Sequence, residues 1–128
     1  MTAQPINPPG VKAAPGLMNH AMKVGNTIYV SGQVSRDKDG NTVGKEDFSA
    51  QAEQVYSNVQ TVLAGAGATM KDVVKMNSYL TRQEDLKANW EIRKRYFTGE
   101  PPAATLVFVS ALADPDLLIE VEVIAVAG

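Results

Sequence analysis

The sequence predicts a single-domain α+β protein in which two helices cover one face of a β-sheet. Two segments place apolar residues three or four positions apart, and the segments around them alternate apolar and polar residues. At 128 residues with 45% hydrophobic content, the chain is long enough for one core and too short for two. Since two helices leave the other sheet face uncovered, we expect self-association, with clefts at subunit boundaries.

The N-terminal part is predicted to be an extended arm followed by a hairpin. Residues 1–16 hold four of the seven prolines and form the arm of the single domain 1–128. Strands 21–24 and 27–34 flank Gly25 and Asn26, a pair typical of tight turns. The period of two along the second strand separates a core face from a polar face: Ile28, Val30, Gly32 and Val34 against Thr27, Tyr29, Ser31 and Gln33.

The first helix is predicted from residue 47 or 48 to residue 66. Its apolar stripe has helical spacing, Asp47 can cap its start, and Gly65 or Gly67 can end it. A short turn at residues 70–72 leads into a strand over residues 73–80. In that strand one set of side chains should face the core and the other the polar side: Val74, Met76 and Leu80 against Lys75, Asn77 and Tyr79.

The second helix is predicted to begin at a capping box formed by Thr81 and Glu84. It runs to residue 96 or 97, where the segment 99–102 stops it. We expect Leu86, Trp90 and Phe97 on its buried stripe. The basic residues 93–95 point in different directions and are expected to be solvated.

The last part of the chain is predicted to form two core strands. Residues 104–110 are nearly all apolar, which indicates burial on both faces, and residues 113–116 form a turn. In the final strand, residues 117–126, Glu120 and Glu122 share one face with apolar neighbours. An unpaired buried charge is costly, so each carboxylate is either close to water or paired. For Glu120 this leaves a functional and a structural role open, whereas a structural role is favoured for Glu122.

Composition excludes several classes of chemistry. The net charge of −2 provides no surplus of cations for phosphate binding, so nucleic acid is not an expected partner. The chain has no cysteine and one histidine. It therefore lacks the residues for thiol catalysis, for a structural zinc site and for a serine triad with a spare histidine. No metal or cofactor is expected. No apolar run approaches the length of a bilayer, so we expect no membrane partner and a cytoplasmic location.

Three separated segments resemble the RidA/YjgF family. They are GNTIYVSGQV from residue 25, VLAGAGATMKDVVKMNSYLT from residue 62 and EPPAATLVFVSALADPDLLIEVEVIAV from residue 100. The resemblance implies a chorismate-mutase-like α+β fold with a mixed sheet, and a homotrimer with small-molecule clefts between subunits. The implied activity is hydrolysis of reactive enamines and imines to 2-oxo acids and ammonia. Ribonuclease and translation-inhibitor labels also circulate for the family.

The resemblance carries over to some site residues and not to others. Glu120 matches the glutamate that holds or polarises the attacking water, and Ser31 with Gly32 matches the strand that lines the cleft. The arginine that grips the substrate carboxylate is replaced by Ala104, which Thr105 follows, and the cleft tyrosine by Met18. The remaining correspondences are looser: Trp90 stands at the position of a helix asparagine, with Asn89 before it, and His20 falls near the cleft mouth.

Two functional hypotheses follow. The first is a hydrolytic deaminase that lacks the family arginine and acts on a larger or less acidic imine or enamine, with Glu120 as the base and His20 as a candidate substrate contact. The alternative is a noncatalytic trimer that binds small metabolites or partner proteins. His20 could equally be a surface or hydrogen-bonded strand histidine. Nuclease activity fits poorly with the charge balance.

Overall fold

A computed structural model describes residues 2–128. These residues form one layer of β-sheet with two α-helices against one of its faces. Single-turn 3-10 helices at Met70–Asp72 and Gln83–Asp85 lie before and after the strand that separates the two α-helices. The predicted α+β class is therefore confirmed. The elements in chain order are β1 (Gln4–Ile6), β2 (Ala21–Val24), β3 (Thr27–Gln33), α1 (Phe48–Gly65), β4 (Val73–Leu80), α2 (Leu86–Tyr96), β5 (Ala103–Phe108) and β6 (Ile119–Val126).

The sheet is mixed, with strand order β1-β2-β3-β6-β4-β5. β4 and β5 are parallel, and every other neighbouring pair is antiparallel. The final strand therefore lies in the middle of the sheet, between β3 and β4, and its side chains alternate strictly between the core and the opposite face. This central position places Glu120 and Glu122 among side chains from both neighbouring strands.

The core lies between α1 and the sheet. Asp47 caps the helix as predicted, since its carboxylate accepts a hydrogen bond from the Ala50 backbone N–H at 3.1 Å. The helix ends where Gly67 adopts φ = 82°, a left-handed conformation that suits glycine. The buried Tyr56 hydroxyl donates to Asn89 Oδ1 at 2.6 Å and so links α1 to α2.

Bulges in two strands correct the predicted side-chain faces. The register of β3 against β6 shifts between Val30 and Gln33, so Gln33 is buried on the core side and Gly32 is not part of the core. A second shift in β4 leaves Val74 49% exposed and buries Val73 instead. A bulge inserts one extra residue, which inverts the alternation beyond it. The period of two therefore predicted these strands correctly but misassigned residues at the irregularities.

The second helix differs from the prediction at its start and on its buried face. No side-chain hydrogen bond caps it, and the predicted capping box at Thr81 is wrong. The Arg82 guanidinium instead binds Asp85 at 2.7 Å across the 3-10 turn that precedes α2. Asn89 and Ile92 are buried, whereas Trp90 is 50% exposed, so its assignment to the buried stripe is also wrong.

The terminal parts of the sheet also depart from expectation. The N-terminal arm is extended but packs on the domain: β1 pairs with β2, and Ile6 and Val11 are buried. The strand β5 pairs with β4 alone and is an edge strand, which leaves Val107 42% and Phe108 38% exposed within the single chain. Burial on both of its faces, as predicted, would need a further element beside it. No helix in residues 2–128 is long and apolar enough to span a membrane.

Candidate functional site

The face of the sheet opposite the helices carries the polar side chains of the central strands. Glu120 and Glu122 of β6 lie in register with Tyr79 and Asn77 of β4. Tyr29 of β3 lies on the same face and is exposed. A depression of about 290 Å³ runs between Tyr29, Asn77 and Glu122. Glu122 therefore lines a depression on the face opposite the helices, and Glu120 lies two residues before it on the same face.

Glu122 is held by two hydrogen bonds. The Tyr79 hydroxyl donates to its Oε1 at 2.6 Å, and the Asn77 side-chain amide donates to the same oxygen at 3.2 Å. The hydrogen bond to the carboxylate is also the main reason why the pKa of Tyr79 is raised. These bonds tie Glu122 to β4, which favours the structural role over a catalytic one.

Glu120 is in a different situation. Its side chain is half-buried, and within residues 2–128 its carboxylate forms neither a hydrogen bond nor an ion pair with another side chain. Burial and the neighbouring Glu122 charge, in that order, raise the pKa of Glu120. A carboxylate with a raised pKa and free lone pairs is suited to accept a proton near neutral pH.

Gly32 makes room for this carboxylate. A Cβ atom added at Gly32 would lie 1.9 Å from Glu120 Oε2 and 2.8 Å from its Cδ. The bulge in β3 produces this contact because it turns Gly32 away from the core and toward β6. Any larger residue here would therefore displace the Glu120 carboxylate, and the structure brings together two of the residues that the sequence singled out.

The raised pKa of Glu120 predicts a pH-dependent stability difference. Because its folded-state pKa lies above its unfolded-state value of 4.5, ionisation of Glu120 lowers the free energy of unfolding as the pH rises past that value. Glu120→Gln should therefore have a higher melting temperature than the parent protein at pH 7, and the gain should vanish near pH 4. Thermal unfolding of both proteins between pH 4 and pH 8 measures this difference.

A matched variant separates charge from packing in that experiment. Glu122→Gln removes a carboxylate that accepts two hydrogen bonds, so it should lower the melting temperature at pH 7. A gain in Glu120→Gln that is the same at pH 4 and pH 8 would contradict the assignment of Glu120 as a destabilised carboxylate.

His20 is fixed by hydrogen bonds on both ring nitrogens. Nε2 lies 2.6 Å from the Lys12 carbonyl oxygen, which can only accept, so Nε2 carries the proton. Nδ1 then accepts from the Gln33 amide at 3.1 Å. The ring therefore ties β3 to the loop before β2, and its nitrogens have no free lone pair or N–H. Of the two roles left open by the sequence, this geometry favours the hydrogen-bonded strand histidine.

Ser31 is also engaged by that loop, since its hydroxyl donates to the Asn19 carbonyl oxygen at 2.6 Å. A second depression of about 280 Å³ lies beside it, where Met18, His20, Gly32 and Arg36 converge. The Arg36 guanidinium binds Asp114 at 3.1 Å, so it is already paired. Ser31, Gly32, His20 and Glu120 are thus collected at one end of β3.

The remaining candidate residues lie elsewhere in the chain. Ala104 is in register with Met76, whose side chain is in the core, so it points to the helix side of the edge strand. Trp90 is on α2, also on the helix side. Thr105 is on the open face, where its hydroxyl accepts a hydrogen bond from Lys75 Nζ at 3.1 Å. Its strand, β5, is two strands away from β6, which separates the two strands by roughly 10 Å. A single chain does not unite them with Glu120.

Comparison with known proteins assigns the family. A model of the endoribonuclease L-PSP family matches residues 11–127. The chain belongs to the RidA/YjgF family. It is 39% identical to a RutC family protein of Pyrococcus abyssi over 110 residues, which is 86% of each chain. A 2-iminobutanoate/2-iminopropanoate deaminase of Dermatophagoides farinae is 31% identical over 98% of this chain and 91% of that protein.

The fold of the family is present throughout this RidA/YjgF protein. The crystal structure of E. coli TdcF with bound serine superimposes with a TM-score of 0.90 at 26% identity, covering 98% of this chain and 99% of that one.

The sequence did not predict the hydrogen bonds that Tyr79, Asn77 and Gln33 make around the candidate site. Strand alternation placed Asn77 and Tyr79 on the polar face, but only the pairing of β4 with β6 shows that they hold Glu122.

Proposed function

We propose that this RidA/YjgF protein is a hydrolytic deaminase of a reactive imine or enamine, which releases ammonia and a carbonyl product. The observation that supports it most is the half-buried Glu120 carboxylate, which has a raised pKa, forms no side-chain hydrogen bond or ion pair within residues 2–128 and lies against Gly32 on the open face of the sheet. One relative is named a 2-iminobutanoate/2-iminopropanoate deaminase, and the TdcF structure has serine bound, in accord with a small-molecule ligand.

Glu120 performs the proton transfers in the proposed reaction. It accepts a proton from a water molecule as the water oxygen bonds to the imine carbon, and the π electron pair of the C=N bond moves to nitrogen. Glu120 gives this proton to the nitrogen, which forms the neutral carbinolamine. Glu120 then accepts the proton of the carbinolamine hydroxyl and transfers it to the nitrogen, so that the C–N bond breaks with its electron pair leaving on ammonia while the C=O bond forms. An imine carbon is already electrophilic, so orientation of water contributes much of the rate enhancement.

Ala104 distinguishes the expected substrate from small 2-imino acids. An arginine binds a carboxylate through two parallel hydrogen bonds, and alanine cannot replace them. Loss of such a buried pair costs roughly 2 to 5 kcal/mol, a factor of about 30 to several thousand in affinity. We therefore propose a larger or less acidic imine or enamine as the substrate.

The same proposal includes a homotrimer with its sites between subunits. Within one chain, Ala104 and Trp90 are on the helix side, whereas Glu120 and Gly32 are on the open face. A cleft that contains all of them needs the edge strand β5 of one subunit beside β3 and β6 of another. The apolar side chains exposed on β5 and on the open face are suited to such a contact.

The cytoplasmic location of the protein stays a prediction.

A noncatalytic binding module is the second candidate. It is favoured by the alanine at position 104 and by the two occupied nitrogens of His20, which together remove two candidate contacts for a substrate carboxylate. Both candidates use the same cleft. They differ in whether Glu120 supports turnover.

Ammonia release from enzymatically generated imines tests the proposal. The panel runs from small acidic to bulky aromatic amino-acid precursors, and it is measured for the parent protein and for Ala104→Arg. We expect the parent to hydrolyse at least one bulky or weakly acidic imine, and Ala104→Arg to shift the preference toward small 2-imino acids by lowering their KM. No turnover by the parent on any imine, with activity only in Ala104→Arg, would instead support the binding module.

A further inference from the structure

A groove on the helix side of the molecule combines an aromatic surface with cations. It has a volume of about 400 Å³ and is lined by Trp90, Arg93, Lys94 and Phe97 of α2 and its end, and by Gly99 and Pro101. We name it the Trp90 groove. It is on the other side of the sheet from the depression between Tyr29 and Glu122, and no hydrogen bond of the candidate site involves its residues.

Within residues 2–128, neither Arg93 nor Lys94 of the Trp90 groove forms an ion pair. Arg93 is partly buried, yet within residues 2–128 its guanidinium forms no ion pair and no side-chain hydrogen bond. No carboxylate is among the residues that line the groove. The other arginines are paired: Arg36 with Asp114, Arg82 with Asp85 and Arg95 with Glu53. Arg93 therefore has donors available for an anion.

Trp90 provides the second part of a recognition surface. Half of its side chain is exposed, and it is the one tryptophan of the chain. An exposed indole beside a guanidinium can stack on a flat ring while the cation binds an attached anion. The groove thus has the two features that recognise an aromatic carboxylate, at a spacing set by one turn of helix between positions 90 and 93–94.

The groove lies beside the position where the anchoring arginine is missing. Pro101 is two residues before β5, and Ala104 near the start of that strand points to the same helix side as Trp90. A ligand in the groove would have its carboxylate on α2 instead of on β5. We infer that the Trp90 groove binds an aromatic carboxylate, with the ring on Trp90 and the carboxylate on Arg93 and Lys94.

This inference rests on the proposed function only where it takes the ligand of the groove to be the substrate. The substrate class is then narrowed to aromatic imino acids, whose carboxylate would be bound by Arg93 and Lys94 because Ala104 cannot bind it. The groove itself depends on the lining residues and their charges, so its binding can be measured without turnover.

The fluorescence of Trp90 reports on the groove directly. Titration with 3-phenylpropionate should change the emission of Trp90 saturably, while 3-phenylpropionamide, which has the same ring and no charge, should bind at least about tenfold more weakly. Arg93→Gln should weaken 3-phenylpropionate binding about tenfold or more, because a hydrogen-bonded charge pair is lost. Lys94→Gln should weaken it less, since lysine acts as a point charge.

Lys87→Gln is the matched control, since it removes the same charge from an exposed position of α2 outside the groove. Calorimetry with Trp90→Leu, which should lose binding, covers the variant that cannot be followed by fluorescence. Equal binding of the acid and the amide, or an equal effect of Lys87→Gln and Arg93→Gln, would overturn the inference.

Activity separates the inference from the proposed function. With an aromatic imino acid, Arg93→Gln should raise KM and leave kcat nearly unchanged, because Arg93 contacts a part of the ligand that does not react. Turnover with a KM that is insensitive to Arg93→Gln would overturn the inference and leave the deaminase function standing. Binding as expected without turnover of any imine would uphold the groove and reject the deaminase.

Discussion

Replacing Glu120 with glutamine is expected to lower kcat for imine hydrolysis by about 10² to 10⁴, the usual contribution of a positioned general base. Glutamine has the shape of glutamate, but its amide cannot accept a proton from water. KM should change little, since the proposed part of the carboxylate is in the proton transfers and not in holding the bound substrate. Ammonia release under saturating substrate measures the effect, with circular dichroism as the check on folding.

Glu122→Gln is the matched control for that experiment. Its carboxylate is two residues away on the same face, but it is held by Tyr79 and Asn77 and has no proposed part in proton transfer. Its loss should reduce kcat by less than the loss of Glu120, through a shift in the position of the site. Equal losses of kcat in both variants would mean that the negative charge of the two carboxylates matters as a whole and that Glu120 is not the base.

Replacing Gly32 with alanine is expected to lower kcat by about 10²-fold with little change in melting temperature. The added Cβ would lie 1.9 Å from Glu120 Oε2, so the carboxylate has to move. A displacement of about 1 Å at a catalytic group is enough for a loss of this size. The fold should tolerate the change, because the atoms nearest to the new Cβ all belong to the flexible Glu120 side chain.

A double-mutant cycle identifies Glu120 as the cause. In the Glu120→Gln background, Gly32→Ala should have little further effect on kcat, because the base is already absent. Gly128→Ala, where an added Cβ meets nothing within 4 Å, serves as the control for a glycine substitution without a steric consequence. Additive losses from Gly32→Ala and Glu120→Gln would show that Gly32 acts on activity by another route.

Local signals predicted much of this fold correctly. The bounds of β4, the hairpin of β2 and β3, and the Asp47 cap of α1 agree with the structure. Each depends on residues close together in the chain: strand alternation, a turn pair or a capping side chain. The capping box at Thr81 failed even so, because the Arg82 to Asp85 ion pair and a 3-10 turn occupy the start of α2.

Non-local pairing explains the other differences. The apolar segment that became β5 looks like a buried strand, but its burial depends on its neighbours in the sheet, and it has one neighbour in the single chain. Trp90 is apolar and at a suitable helical spacing, yet α2 buries Asn89, whose amide oxygen accepts the Tyr56 hydroxyl of α1. A hydrogen bond between two helices thus decided which face of α2 is inside.

The sequence by itself determined the α+β class, the family resemblance and Glu120 as the carboxylate to consider, because alternation and motif are properties of short segments. The tertiary structure decided what surrounds that carboxylate. The bulge in β3 turned Gly32 against Glu120. The pairing of β4 with β6 gave Glu122 its hydrogen-bond donors, whereas no side chain in the described residues 2–128 donates to Glu120. Strand register is set by contacts between distant segments, so no pattern within one strand encodes it.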